Sequence, residues 1–146
     1  MKFASVVLAQ EIAGYFWAGV PWTRFSHGRF TLLTANLTDP TTPVSSFSEV
    51  TDSGFVRQTV PMDTTFWGAV FTAGAALDLS ALNFGTAAAG IPSIVAMVVD
   101  FGATRSPAVS NEYFYADFPQ SWSVAAGSPI VIPAGLVKAT AGQPVT

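Results

Sequence analysis

The sequence predicts a mainly β protein: an antiparallel β-sandwich or jelly-roll-like barrel of about eight strands with an N-terminal helix. Apolar residues first recur with a helical period, and further along they form short runs that turn residues separate at fairly regular spacing. The chain has 146 residues and no cysteine, and a chain of that length buries enough surface for a core without disulfides. We therefore expect residues 1–146 to form a single β-sandwich domain.

The helix is predicted over residues 4–18. Four apolar residues fall on one face of such a helix, spaced by four, seven and eight positions from the first: Leu8, Ile12, Tyr15 and Phe16. Gly19 and Pro21 follow. They predict the end of the helix, because glycine favours the C-terminal cap and proline cannot continue a helix.

Strands are predicted at residues 30–37, 55–60, 76–84, 93–101, 112–118, 122–125, 129–132 and 136–140. The continuous apolar run at residues 94–99 predicts a strand that is buried on both faces, in the middle of the structure. Turn residues at 126–129 and 133–135 separate the closing strands.

Two segments, residues 16–25 and 61–75, concentrate large aromatic residues among glycine and other small residues. One interpretation is that these rings plug the ends of the sandwich. The other is that they form a surface for a partner, since exposed aromatic patches are uncommon without a use. The candidate interface residues are Trp22, Phe25, Phe66, Trp67 and Phe71.

The order of these pieces resembles a family of small structural proteins of tailed phages. The resemblance rests on the apolar helix, the strand beginning Phe30-Thr31-Leu32, and residues 49–60 with Asp52-Ser53-Gly54-Phe55 followed by Arg57-Gln58. The central strand at 94–100 and the closing strands at 114–119 and 124–135 are similar too. The chain departs from the family at Phe55-Val56 and in a longer segment at 101–111. The resemblance implies a helix plus β-sandwich accessory protein of the head or tail, without chemistry.

The function expected from this resemblance is a non-enzymatic capsid decoration or cement protein that stabilises contacts between major capsid proteins. We expect it to be made in the host cytoplasm, to form homo-oligomers and to reside in the virion, with the capsid surface preferred and the tail possible. Two alternatives stay open. One is a tail or baseplate component, and the other is a glycan-binding adhesion module, since the chain has four tryptophans whose faces suit sugar stacking.

Composition argues against two classes of partner. Only 10% of the residues are charged, where soluble domains average about 25%. The six basic residues are spread along the chain and form no stripe for a phosphate backbone, so we expect no nucleic-acid binding. The N-terminal apolar stretch is interrupted at Gln10 and Glu11, short of a membrane span of ~20 residues, so we expect no membrane partner.

The chemistry-bearing residues predict no catalytic, cofactor or metal site. His27 is the sole histidine, and the acidic residues lack calcium-loop spacing. Solvated or turn-capping roles account for the acidic residues; the alternative is that adjacent strands bring Asp100 and Asp117 together as a glycosidase dyad, which also needs a raised pKa. Arg57 lies inside an apolar run and is the candidate buried charge, with a carboxylate partner expected if it is buried; the alternative is an outward-facing side chain.

Overall fold

A computed structural model describes residues 3–19, 25–67, 75–102 and 111–140. Within these ranges the chain forms one α-helix, a short 3₁₀ turn at Val44–Ser46 and nine strands. The helix is α1 (Val6–Ala18), and the strands are β1 (Phe3–Ala4), β2 (His27–Leu33), β3 (Gln58–Pro61), β4 (Ala75–Leu77), β5 (Leu82–Thr86), β6 (Ile91–Asp100), β7 (Tyr113–Val124), β8 (Pro129–Ile132) and β9 (Lys138–Thr140). The predicted fold class, mainly β with an N-terminal helix, is confirmed.

Five of the strands form one antiparallel sheet in the order β1-β7-β6-β2-β3. The predicted central strand is β6, whose residues from Ala96 to Asp100 are all buried. In the register, Val98 lies opposite Thr31 on one side and Tyr115 on the other. The apolar run at 94–99 is therefore central because both of its edges are paired.

The main core lies between one face of this sheet and the β5–β8 ribbon. The sheet contributes Phe30, Leu32 and Met97, and the ribbon contributes Phe84 and Ile130. Alternate residues of a strand point to opposite faces. Phe30 and Leu32 therefore reach this core, while Leu33 joins a second apolar cluster with Val98 and Tyr113. Two layers around a shared core make a sandwich arrangement.

The segment at residues 49–56 runs from the sheet to the β5–β8 ribbon, and we call it the crossing segment. At its start the Val50 amide donates to Leu32, and at its end the Val56 amide donates to Phe84. Between them, the carboxylate of Asp52 accepts the amide hydrogens of Gly54, Ala88 and Ala89. These hydrogen bonds hold the pKa of Asp52 below its ordinary value.

Strand β1 was not predicted, most of the other strand bounds differ by a few residues from those predicted, and two predicted stretches are divided differently in the structure. The stretch at 76–84 contains parts of two strands, β4 and β5, because the chain bends at Leu79 and Ser80 between them. The stretches at 112–118 and 122–125 belong to one strand, β7. This strand contains a bulge, in which residues 118–121 lie opposite the single residue Val95 of β6. Pro119 lies in this bulge, a position where its missing amide hydrogen costs no ladder hydrogen bond.

Helix α1 begins and ends at recognisable caps. The Ser5 hydroxyl accepts the amide hydrogens of Leu8, 3.3 Å away, and of Tyr113, 3.2 Å away. Gly19 ends the helix in the left-handed conformation, with φ 64°, as predicted from its position. Of the four apolar residues on one face of the predicted helix, Leu8 and Ile12 pack in the main core, whereas Tyr15 and Phe16 are exposed.

Candidate interaction surface

The last turn of α1 carries three exposed aromatic side chains. Tyr15 is 46% exposed, Phe16 72% and Trp17 89%, and the first two meet edge to face with ring centroids 5.2 Å apart. We call Tyr15, Phe16 and Trp17 the aromatic tip. Such rings lose apolar contact with water on association, so a cluster of them is a candidate contact surface.

The end of α1 opposite the aromatic tip is anchored to the rest of the fold. Ser5 is buried and its amide donates to the Tyr113 carbonyl at 2.8 Å. The Val6 amide donates to Pro40, and Leu8 is completely buried in the main core. The first half of α1 is thus fixed to the sandwich, and its last turn presents the aromatic tip to solvent.

Besides the face that carries the buried Leu8, α1 has a second apolar face that is exposed. Ala9, Ala13, Phe16 and Trp17 are all exposed. They repeat the spacing of Leu8, Ile12, Tyr15 and Phe16, displaced by one residue. At about 100° per residue these four positions span roughly 100° of the helix surface. We call them the outer face of α1, and it carries no charged side chain.

The predicted interface residues lie elsewhere. Phe25 and Phe66 are core residues, 9% and 4% exposed, so the interface prediction is wrong for both. Phe25 stacks on Phe101 with centroids 4.5 Å apart, and Phe66 packs against Phe30 at 5.7 Å. These rings plug the sandwich, which was the alternative interpretation.

Trp67 is half-buried against the same core. Its ring lies edge to face with Phe66 at 5.0 Å, and its Nε1–H points to the Met62 sulfur at 3.5 Å. Trp122 is also partly buried, against Phe118 at 6.3 Å. Trp22 and Phe71 lie outside the described residues. Among the described tryptophans, only Trp17 is therefore a fully exposed ring.

A sequence signal for Trp17 existed. It stands nine positions after Leu8, which at about 100° per residue places it on the opposite side of the helix from the buried residue. An aromatic residue at that position predicts either a second buried face or a contact with another molecule.

Four charged residues form a row on the sheet face that carries the second apolar cluster. We call Arg29, Asp100, Glu49 and Arg57 the charge row. An Arg29 Nη donates to Asp100 Oδ2 at 2.6 Å, across the paired strands β2 and β6. Thr31 Oγ1 donates to Glu49 Oε1 at 2.5 Å, and Arg57 binds both oxygens of the Glu49 carboxylate. The Arg57 side chain is 39% exposed, so the buried-charge prediction is wrong and its partner is Glu49. The bidentate pair clips the crossing segment to the sheet.

Burial alone would raise the pKa of Glu49, but hydrogen bonds from Arg57 and Thr31, with the charges of Arg57 and Arg29, lower it overall. A carboxyl whose pKa is lowered by folding stabilises the folded state above its unfolded pKa, and loses that contribution as pH falls through the folded pKa. We therefore expect Glu49→Gln to cost about 1–2 kcal/mol of unfolding free energy at pH 7, and less at pH 3, which lies below the ordinary pKa of a glutamate.

Urea unfolding of both proteins at the two pH values measures this difference. Arg57→Met is the matched variant, because it removes the other half of the same pair. The double variant should cost little more than either single one, since each removes the same interaction. A Glu49→Gln cost that is equal at pH 7 and pH 3 would contradict the role of the ionised pair.

The remaining chemistry-bearing residues are dispersed. His27 Nδ1 lies 3.1 Å from the hydroxyl of its neighbour Ser26, at an exposed strand end. Asp117 lies opposite Ala96, four residues along β6 from Asp100. That separates the two acids by ~13 Å, beyond the span of a glycosidase dyad. Within the described ranges, no three His, Asp or Glu side chains are placed to hold a metal ion.

No protein-family model matches the chain, and a search of curated proteins finds no significant match. The resemblance to tailed-phage proteins therefore stays a hypothesis. In the described part of the chain, no helix has the length and apolar character to cross a bilayer.

Proposed function

We propose that this chain is a non-enzymatic structural protein of a virion, a decoration or cement protein that attaches to the assembled shell through the aromatic tip. The observation that carries the proposal is the exposure of Phe16 and Trp17 at the end of a helix whose other end is anchored. Aromatic anchors of this kind dominate the binding energy of protein interfaces.

The low charge supports the same function. A net charge of −3 on 146 residues produces little repulsion between neighbouring copies, and a shell component packs in many copies. Partner surfaces gain roughly 25 cal/mol for each Å² of apolar area that they cover. A chain with an uncharged apolar surface therefore suits addition to a repeating structure.

The charge row supports a structural role. Its two carboxylates, Asp100 and Glu49, each bind an arginine, and the pKa of Glu49 is lowered. A general acid needs a proton near neutral pH and therefore a raised pKa. Glu49 is placed instead to stabilise the fold.

The proposal is tested by particle binding. Purified chain is added to virions depleted of it, and the bound fraction is measured by co-sedimentation. We expect Trp17→Ala to reduce the affinity about tenfold or more. Leu136→Ala is the matched control, because Leu136 is 68% exposed and lies in the segment between β8 and β9; it should bind like the wild type.

Gold-labelled antibody against the chain then gives its position by electron microscopy. Label on heads supports the cement function. Label confined to tails supports the tail or baseplate alternative and contradicts the cement function. If particles carry no label and bind no added chain, the virion role is wrong.

A further inference from the structure

We propose that the crossing segment detaches in acid: protonation of Glu49 and Asp52 frees it from the sheet and from the turn between β5 and β6, while the five-stranded sheet stays folded. The segment closes one side of the sandwich, because it is hydrogen-bonded to the sheet at one end and to the β5–β8 ribbon at the other. This behaviour belongs to the chain alone and does not depend on the virion role.

Glu49 attaches the start of the crossing segment to the sheet. Its carboxylate accepts a hydrogen bond from the Thr31 hydroxyl of β2 and binds the Arg57 guanidinium through both oxygens. The charged groups that face it are Arg57, which follows the segment in the chain, and Arg29 of β2, whose own partner is Asp100 of β6. Arginines keep their charge in acid. Protonation of Glu49 therefore leaves Arg57 without the anion that it binds.

Asp52 attaches the middle of the crossing segment to the turn between β5 and β6. Its Oδ1 accepts the amide hydrogen of Ala88 at 2.7 Å, and its Oδ2 accepts that of Ala89 at 2.9 Å. Oδ1 also accepts the Gly54 amide within the segment. In the described part of the chain, backbone amides and no charged side chains account for the lowered pKa of Asp52. Protonation turns one oxygen into a hydroxyl group and removes the negative charge, which weakens all three hydrogen bonds.

The contact between the crossing segment and β5 is made by backbone atoms at Gly54. A Cβ atom there would lie 1.7 Å from the Thr86 carbonyl oxygen. Side chains do not interlock at this point, so the two backbones separate once the hydrogen bonds around them weaken. The five-stranded sheet is held instead by strand ladders and by buried apolar side chains such as Phe30 and Leu32, which do not titrate.

Detachment opens the ribbon side of the main core to water. Phe55 of the crossing segment stacks on Phe84 of β5, with ring centroids 5.7 Å apart. Phe84 is completely buried. When the segment leaves, this ring and the edge of β5 that faces the segment are uncovered, and an uncovered strand edge is a pairing surface for another strand.

The direction of the pKa changes sets the pH range. Folding lowers the pKa of both carboxyls. Such a group stabilises the attached segment above its unfolded pKa, about 3.9 for aspartate and about 4.3 for glutamate, and loses that contribution as pH falls through its folded pKa. We therefore expect the crossing segment to stay attached at neutral pH and to detach below about pH 4.

Hydrogen exchange of the wild-type chain, read by mass spectrometry as protection factors at pH 6 and pH 3, tests the detachment directly. We expect the protection of residues 49–56 and of the amides of Ala88 and Ala89 to fall at least tenfold at pH 3, while that of β6 changes by less than about twofold. If protection falls alike in β6 and in the crossing segment, the whole chain unfolds in acid. If it falls in neither, the segment stays attached. Either result overturns the inference.

Variants that remove the charges at neutral pH test the two carboxylates. Asp52→Asn and Glu49→Gln each replace an accepting oxygen by an NH₂ group, which donates. We expect the double variant at pH 6 to exchange in residues 49–56 as the wild type does at pH 3, with no further loss on acidification. A double variant that matches the wild type at pH 6 would show that these carboxylates do not hold the segment.

Asp39→Asn is the matched control. The Asp39 carboxylate accepts the amide and hydroxyl hydrogens of Thr41, and its pKa is lowered too, but both of these hydrogen bonds lie within its own turn. We expect this variant to exchange in residues 49–56 as the wild type does at both pH values. If it loosens the crossing segment as much as the double variant does, the effect is not specific to Glu49 and Asp52 and the inference is wrong.

Discussion

Gly85→Ala is expected to lower the free energy of unfolding by about 4 kcal/mol or more, a large part of the ~5–15 kcal/mol that holds a domain folded. Gly85 has φ 101°, a conformation that L side chains rarely adopt. A methyl group there would also overlap the carbonyl oxygen of Gly54, and one on Gly54 would overlap that of Thr86. Backbone atoms on both sides must move to admit it.

The measurement is chemical unfolding of Gly85→Ala beside Gly127→Ala. Gly127 has a similar positive φ, 77°, but open space around its Cβ position. The control should therefore lose only the conformational cost, about 1–2 kcal/mol. The difference between the variants isolates the close approach of the crossing segment to β5. Equal losses would show that this approach is not a constraint.

Phe66→Ala is expected to cost about 3–5 kcal/mol of unfolding free energy, because the ring is almost wholly buried and its removal leaves a cavity beside Phe30 and Trp67. Phe16→Ala is the matched control, with the same chemical change at a ring that is 72% exposed. It should change stability by less than about 0.5 kcal/mol.

Thermal and urea unfolding of the two variants measure the contrast. It separates the two interpretations of the aromatic-rich segments, since a core ring stabilises the isolated chain and a contact ring stabilises a complex. A Phe66→Ala protein as stable as the wild type would return Phe66 to the list of interface residues and contradict its placement in the core.

The charge row shows why site residues were harder to predict than strands. Arg57 in an apolar run predicted a charge that needs a carboxylate if it is buried. Identifying Glu49 as the partner requires knowing that the start of the 49–56 segment lies beside β2, where Leu33 is opposite Glu49. That pairing depends on contacts between residues far apart in the chain, and nothing in the local pattern of either residue encodes it.

Local patterns were sufficient where the determining interaction is local. The helix was predicted at 4–18 and lies at Val6–Ala18: its end follows from Gly19 and its body from the spacing of Leu8 and Ile12, whereas its start at the Ser5 cap was not predicted. Strand β8 occupies the predicted residues, since a turn precedes it and Pro133 follows it. The central place of β6 follows from an apolar run that only a strand covered on both faces can bury.

By itself the sequence determined the mainly β class, the helix and the central strand, because periodicity and turn residues act between near neighbours. Only the tertiary structure decided which aromatic residues are core. Phe66 and Phe16 both sit in aromatic-rich segments. Phe66 packs against Phe30 of the sheet, whereas α1 contacts the core only as far as Ile12, so Phe16 and Trp17 are exposed to solvent. The physical reason is that burial depends on where a helix or loop lies against the rest of the chain, which the identity of a side chain does not specify.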